Sequence, residues 1–372
     1  MGGDVFRDEF SLAFDGTNDY IELSGAFNYT NHAIVAWVKI TADTTNKFIF
    51  DYRDGDNDGI LLNINSSEKI KYEVNTSDVL YDTVLPSGVW HHIVATNNGT
   101  NTKLYLNGIE VGSSDSSGVS LNVSGSAVAR IGARSHSSPS NYFNGNISEL
   151  AFYNKGLSAS EVKTLYNGRE PYNHKEGVCS SNLQGWWRMG DGVLDKQPSN
   201  HTNSFLISDN TNATKGSNLW TETYSSNTGS WTADGTNSLT QENNAIKITG
   251  DGSDSDGARI RLRSTHDLSS DLTVGKLYEL TFKSKVSSGS TVNVQFQISN
   301  AHSFVNFVNY TTEYKQFRHY FIATDATEAE IKCSAMGDGE TIFMKDFSVR
   351  EISGNAGVGE NFDGSDIVGD TP

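Results

Sequence analysis

Apolar and polar residues alternate along this chain in short runs, and the breaks between the runs are written in Gly, Asn and Asp. From Phe10 the text reads FSLAFDGTNDYIEL, in which Leu12, Phe14 and Tyr20 alternate with small or polar residues around an Asp15-Gly16 turn. Period-two alternation interrupted by such a pair predicts a hairpin. The strands AIVAWVKI, KFIFDY, GILLNI and KIKYEV follow, with apolar residues on both parities, as expected of central strands covered on two faces. GVWHHIVATNNGTNTKLYLNGIEVG holds two more strands and an Asn107-Gly108 pair suited to a tight hairpin, and ARIGA and NISELAFY add another two.

The period then changes. Ser158 and Glu161 make a capping box, Leu157 and Val162 can form its staple, and Gly168 supplies a stop, so one short helix is predicted after the last long strand. After an irregular stretch, Leu183 to Met189 reads as a strand that docks back on the first module. Trp186 and Trp187 are adjacent there and face opposite ways, which puts one in the core and makes the other, Trp187, a candidate ligand platform. From Asn218 the runs ARIRLR, KLYELTFKSKV, TVNVQFQIS, YKQFRHYFIAT, AEIKCSA and IFMKDFSVREI are spaced by turn clusters with no helical stretch between them.

The pattern therefore predicts an all-β protein of two antiparallel β-sandwiches. Residues 1–217 form the first, with its docking strand at 183–189. Residues 218–353 form the second, and the Gly- and Asp-rich stretch 354–372 is expected to be a flexible tail with little to bury.

Composition narrows the chemistry. With 28 Lys and Arg against 45 Asp and Glu, the net charge of -17 speaks against a nucleic-acid footprint, which needs clustered cations. No apolar run approaches the roughly 18 residues of a membrane span. MGGDVFRDEF has neither the basic nor the apolar region of an export signal, so none is expected. Cys179 and Cys333 fall in different modules and are expected to be free thiols.

FDGTNDYIEL, AWVKI, WHHIVAT, KLYLNGIEV, ARIGA and FNGNISELAFYNKGLSASEVKTLYN occur in an order and spacing that resembles the laminin-G-like, concanavalin A-like lectin and glucanase sandwiches, over about residues 8–175. The resemblance implies a structural Trp90 in the core and a structural Asn107-Gly108 turn. Residues 218–352, opening on an Asn-Leu pair and closing on FMKDFSVREI, resemble jelly-roll, galactose-binding-like carbohydrate-binding modules. Adhesion-type modules without a leader or disulfides resemble phage virion surface proteins of the tail, fibre or head-decoration kind. That implies a cell-surface polysaccharide, other virion subunits and copies of the same chain as partners.

Candidate sites follow from residue chemistry. Asp54, Asp56 and Asp58 alternate before Gly59, the spacing with which oxygen ligands begin to wrap calcium, although Asn65 stands where an EF-hand needs Glu. In the second module Arg259, Arg261 and Arg263 oppose Ile260 and Leu262, while Asn293, Gln295 and Gln297 oppose Val294 and Phe296. A guanidinium and carboxamide face of this kind suits sugar hydroxyls, and His302, Phe304, Phe307, Tyr310 and Tyr314 are expected to wall it. His91 and His92 read as structural. The Glu-x-Asp-x-x-Glu series of laminarinase-type hydrolases does not occur, so the expectation is a non-catalytic glycan-binding protein. A particle-stabilising protein that binds no sugar, and a hydrolase with an unfamiliar site, stay open as alternatives.

Overall fold

Strands form where the alternation predicts them. The computed structural model describes residues 8–372 other than 56–57, 115–120, 122, 124–126, 137, 193–203, 208, 212–213, 253–255, 288, 291, 299–304, 309–310, 335, 361 and 363–365. The first module begins with β1 (Ser11–Asp15), β2 (Tyr20–Leu23), β3 (His32–Ile40), β4 (Lys47–Gly55), β5 (Asp58–Ile64), β6 (Ile70–Val74) and β7 (Ser77–Leu80). It continues through β8 (Trp90–Asn97), β9 (Thr102–Leu106), β10 (Ile109–Ser114), β11 (Ala129–Ile131), β12 (Asn144–Tyr153), α1 (Ala159–Tyr166), β13 (Leu183–Trp187) and β14 (Ser204–Ile207). The second module supplies β15 (Thr232–Ala233), β16 (Ser238–Glu242), β17 (Ala245–Thr249), β18 (Asp256–Arg261), β19 (Leu277–Val286), β20 (Asn293–Gln297), β21 (Val305–Val308), β22 (Lys315–Ile322), β23 (Glu330–Ser334) and β24 (Thr341–Ile352). The chain then returns to the first module with β25 (Gly357–Glu360) and β26 (Ile367–Val368).

The first sandwich packs the sheet β10-β9-β8-β3-β12-β1-β26, with β13 beside β12, against the sheet β14-β25-β2-β11-β4-β5-β6-β7. Its interior takes Ile34, Ala36, Val38 and Ile40 of β3 together with Ile60, Leu62, Ile64, Tyr72 and Val74. The other parity of β3, Ala33 and Val35, is buried too, in a separate cluster with Tyr153, Trp186 and the helix residues Val162 and Leu165. Helix α1 thus covers the outer face of a sheet that would otherwise be wet. Its start is the expected capping box, Ser158 with Glu161, but its stop differs: Asn167 is the left-handed cap, at φ 49°, one residue before Gly168.

This second layer overturns the reading of Trp187 as a ligand platform. Trp187 is fully buried in the sandwich interior, edge-on to Phe27 with ring centroids 5.8 Å apart, and its Nε1 donates to Asn355 O at 2.9 Å. Trp186 faces the other way and is buried as well, under the helical layer. Opposite parity separates core from solvent only when one face of a sheet is wet.

The segment expected to be a flexible tail instead completes both sheets. In β25, Tyr20 pairs with Glu360 and Leu23 with Gly357; in β26, Leu12 pairs with Ile367. Val358 and Phe362 are each 2% exposed. A side chain on Gly357 would collide with Ile21 and Leu23, so the glycine content that reads as freedom lets the backbone lie close against β2.

The second module, Thr214–Ser353, is consequently an insertion between strands of the first rather than a domain at 218–353 followed by a free tail. Where the chain leaves and re-enters the first module, the fully buried Asp209 binds both strands: Oδ1 accepts from Trp186 N (3.0 Å) and Oδ2 from Asn355 N (3.0 Å). Within the second module, Thr214 N donates to Ser353 Oγ and Ser353 N to Thr214 O, both at 3.0 Å, so its two ends lie side by side.

That module packs the sheet β15-β18-β23-β20-β21 on the sheet β16-β17-β24-β19-β22. Trp220, Tyr224 and Trp231 gather on Phe347, with Trp220 stacked on it at 4.6 Å. Both cysteines are free, Cys333 in this core and Cys179 half-buried in the first module.

Two outcomes test this closure. Ending the chain before Gly354 is expected to abolish cooperative melting of the first module while residues 214–353 keep their own transition, read by calorimetry and limited proteolysis. Burial, and then the charge of Glu22, push Glu360 up to about 8 from an ordinary 4.5. The folded state therefore holds a proton that the unfolded chain has released, and stability falls as pH rises toward that value. The buried neutral His32, His92 and His174, pushed down from 6.5 to about 4, 3 and 3, act oppositely but only below pH 6.5. The melting temperature of the first module is thus expected to fall from about pH 6.5 to about pH 8.5, and Glu360→Gln to make that slope shallower, the rest coming from the other raised carboxyls, Asp8, Asp19 and Glu149.

Candidate functional site

A pocket of about 430 Å³ opens on the outer face of the first module where β3, β8, the β9–β10 turn and the end of α1 meet. Cross-strand pairing of Lys39 with Trp90 and Trp37 with His92 puts these four side chains on that face. Trp37 and the half-buried Trp90 line the pocket with Tyr166, Asn107 and the exposed Arg169. Trp90 was expected in the core. It faces outward because its parity is that of the helix-covered layer, and β8 runs past the edge of that cover.

Each wall is held from behind. Tyr166 lies 5.9 Å from Trp37 and 5.6 Å from His92, ring centre to ring centre. The Asn107-Gly108 turn has φ of 50° and 78°, as a two-residue hairpin of the predicted kind requires. It presses on Tyr166, since a side chain on Gly108 would come 3.0 Å from Tyr166 Cδ1. Asn107 Oδ1 accepts from His92 N at 3.0 Å, which leaves its amide nitrogen as the donating end. Arg169 Nε donates to Tyr166 Oη at 3.3 Å, and Trp90 Nε1 to Asp370 at 3.1 Å. His92 is buried and neutral, and His91 Nε2 bonds Pro86 O at 2.8 Å, both in keeping with structural roles.

In the second module the predicted polar face exists in part. Register aligns Arg259 with Lys332 and Lys332 with Gln295 across β18, β23 and β20. Arg261 and Gln297 both lie opposite Glu330, and Asn293 opposite Ser334. The guanidinium groups are not idle: Arg259 meets Asp234 at 2.5 Å, and Arg261 meets Glu328 at 2.9 Å. Arg263 lies beyond the strand, with Nε 2.9 Å from His266, and Gln297 is only 7% exposed. His302, Phe304 and Tyr310 lie outside the described residues. Tyr314 does not wall this face: Lys345, on the outer face of the other sheet, sits 4.2 Å over its ring.

Asp54 is exposed at the end of β4 and Asp58 half-buried at the start of β5, where Gly55 pairs with Asp58; Asp56 lies outside the described residues. Among the described residues, the acids close enough for a shared ion are Asp8, Glu149 and Asp191, with ligand atoms within 4.8 Å of one another. Their oxygens are already engaged. Glu149 receives Trp186 Nε1 at 2.5 Å and Arg188 Nε at 2.8 Å, and Asp191 receives the amides of Glu9 and Phe10 at 2.8 and 2.9 Å. Burial and the neighbouring carboxylates push Asp8 up, and burial pushes Glu149 up. A proton held by Asp8 accounts for the closeness without a cation. Glu149 is fully enclosed, and hydrolytic carboxyls need about 5 to 9.5 Å between them for a sugar to enter.

Residues 15–163, which span most of the first module's β-sandwich, match a laminin-G family model described as the concanavalin A-like lectin/glucanases superfamily. No curated protein matches the chain in sequence. Among solved structures, it is similar to a heptameric SAP-like pentraxin from Limulus polyphemus, with 16% identity over 44% of this chain and 83% of that one and a TM-score of 0.37. A putative carbohydrate binding protein from Bacteroides ovatus gives 15% identity over 52% and 55%, with a TM-score of 0.43. The CBM40 of Ruminococcus gnavus IT-sialidase bound to α2,3-sialyllactose gives 15% over 42% and 96%, with a TM-score of 0.38.

Removing Glu149 as Ala strands Arg188 and the Trp186 indole, and is expected to cost about 3 kcal/mol in urea unfolding. Asp8→Asn, which keeps the proton's hydrogen bond without the charge, is expected to raise stability near pH 8.

Proposed function

We propose, for a chain whose first module carries the concanavalin A-like lectin and glucanase sandwich, that it binds glycans without transforming them. The observation that carries this reading is the pocket lined by Trp37, Trp90 and Tyr166. Aromatic rings offer flat apolar faces to the C–H side of a pyranose, while the Asn107 amide and the Arg169 guanidinium offer fixed donors to its hydroxyls. A donor that must leave a buried acceptor to bind sugar would lose what it gains. Arg169 and the Asn107 amide nitrogen are held at the rim rather than consumed in the core. Glu149 is fully buried, and protein donors already occupy the oxygens of Glu149 and Asp191, which supports a non-catalytic role.

Calcium at the Asp54, Asp56 and Asp58 hairpin belongs to the same proposal, as an ion that would stiffen the loop. Millimolar calcium is then expected to raise the melting temperature of the wild type and not of Asp58→Asn. We also propose that the chain works as an adhesion component of a virion surface, in a homo-oligomer beside other virion subunits. Antibody labelling of particles by electron microscopy tests this placement. A surface without label would overturn it.

On a glycan array, the full chain is expected to retain a defined set of glycans, and Trp90→Ala and Arg169→Ala to weaken retention at least about tenfold with unchanged melting. If the wild type retains none, the particle-stabilising alternative takes over. Release of reducing sugar from a retained glycan would instead restore the hydrolase reading.

A further inference from the structure

The outer face of the sheet β16-β17-β24-β19-β22 is basic in a chain whose net charge is -17. Alternation turns Lys283 and Lys285 of β19, Lys345 and Arg350 of β24, Lys247 of β17 and Arg318 of β22 to that side. Their inward neighbours Ile246, Phe282, Val286, Met344, Phe317 and Val349 are core residues.

The arrangement works against stability. Lys283 and Lys345 are direct cross-strand partners, and Lys285 and Lys247 flank Phe343 from its two sides. Like charges placed opposite each other on a sheet destabilise it. Only part of this charge is met locally: Lys283 by Asp346 at 2.9 Å, Lys247 by Glu242 at 2.9 Å, and Arg318 by Glu279 at 3.1 Å. Among the described residues, Lys285 and Lys345 have no carboxylate at salt-bridge distance. They lie instead over rings, Lys285 at 5.0 Å from Tyr314 and 5.2 Å from Phe343, and Lys345 at 4.2 Å from Tyr314. Phe343 and Tyr314 are themselves half-exposed.

We infer that this face binds an acidic polysaccharide, one bearing carboxylate or sulfate groups. The inference rests on the glycan-binding reading and deepens it, at a site separate from the Trp90 pocket. Same-face side chains on a strand recur about every 7 Å, so the cations form a flat lattice suited to an extended polyanion rather than to one buried anion. Two aromatic rings among them add stacking surface for sugar rings, which a purely electrostatic patch lacks.

The test uses the full chain and four probes: polygalacturonate, its fully methyl-esterified form, dextran sulfate and dextran. Binding is expected to polygalacturonate or dextran sulfate, whichever carries the preferred anion, and to neither neutral control, and to weaken steeply with added salt. Lys285→Gln with Lys345→Gln is expected to weaken it at least about tenfold while leaving melting unchanged or raised, because like charges have been removed. Arg259→Gln, on the other sheet, should leave it unchanged. Equal binding of the neutral controls, equal retention of duplex DNA, or full binding by the double variant would overturn the inference. If the array glycans still bind through the Trp90 pocket while both acidic polymers fail, this site alone falls and the glycan-binding reading stands.

Discussion

The first sandwich depends on its own last strands. Sheet edges expose unpaired backbone groups, and here β2 and β1 gain their neighbours from β25 and β26, which are made only after the whole second module. An insertion of this kind folds without strain when its ends start and finish together. Asp209 supplies that condition on the first module's side, accepting from Trp186, Thr211 and Asn355, and Thr214 with Ser353 supplies it on the second's. A fully buried carboxylate is tolerated at Asp209 because hydrogen bonds satisfy it on both oxygens.

The second constraint is the extra layer laid by α1 and the Tyr153–Trp186 cluster over an already packed sheet. It buries polar groups that an ordinary sandwich would leave in water: His92 and His174 are held neutral, and Glu149 is locked to Arg188 and Trp186. Where the layer stops, Trp37 stays buried while Trp90 and Tyr166 are left half-covered, and the pocket they line opens at that margin.

The two modules use polar surface differently. On the sheet containing β18, Arg259 is matched with Asp234, and Arg261 with Glu328 and Glu330, so the guanidinium charge there is met locally. On the opposite sheet of the same module, lysines face each other across strands and leave charge unmatched. One small sandwich thus carries a face whose charges are paired and a face whose charges are not, within a chain of net charge -17.

Much of this was legible in the sequence, because much of it is local. Period-two alternation determined the strands, Ser158 and Glu161 determined the helix start, and Asn107-Gly108 determined a left-handed turn; each needs only neighbours in the chain. The outward row of Arg259 and Gln295 was also readable, since that sheet has one wet face. Parity failed where both faces are covered, which is why Trp187 is core rather than platform and Trp90 is pocket rather than core. Residue type misled at 354–372, where glycine marks close backbone approach to Ile21 and Leu23 rather than freedom. Which cations find carboxylates, and which lysines are left facing one another, depends on strand order across the sheet. Strand order is set by long-range packing, and only the tertiary structure decided it.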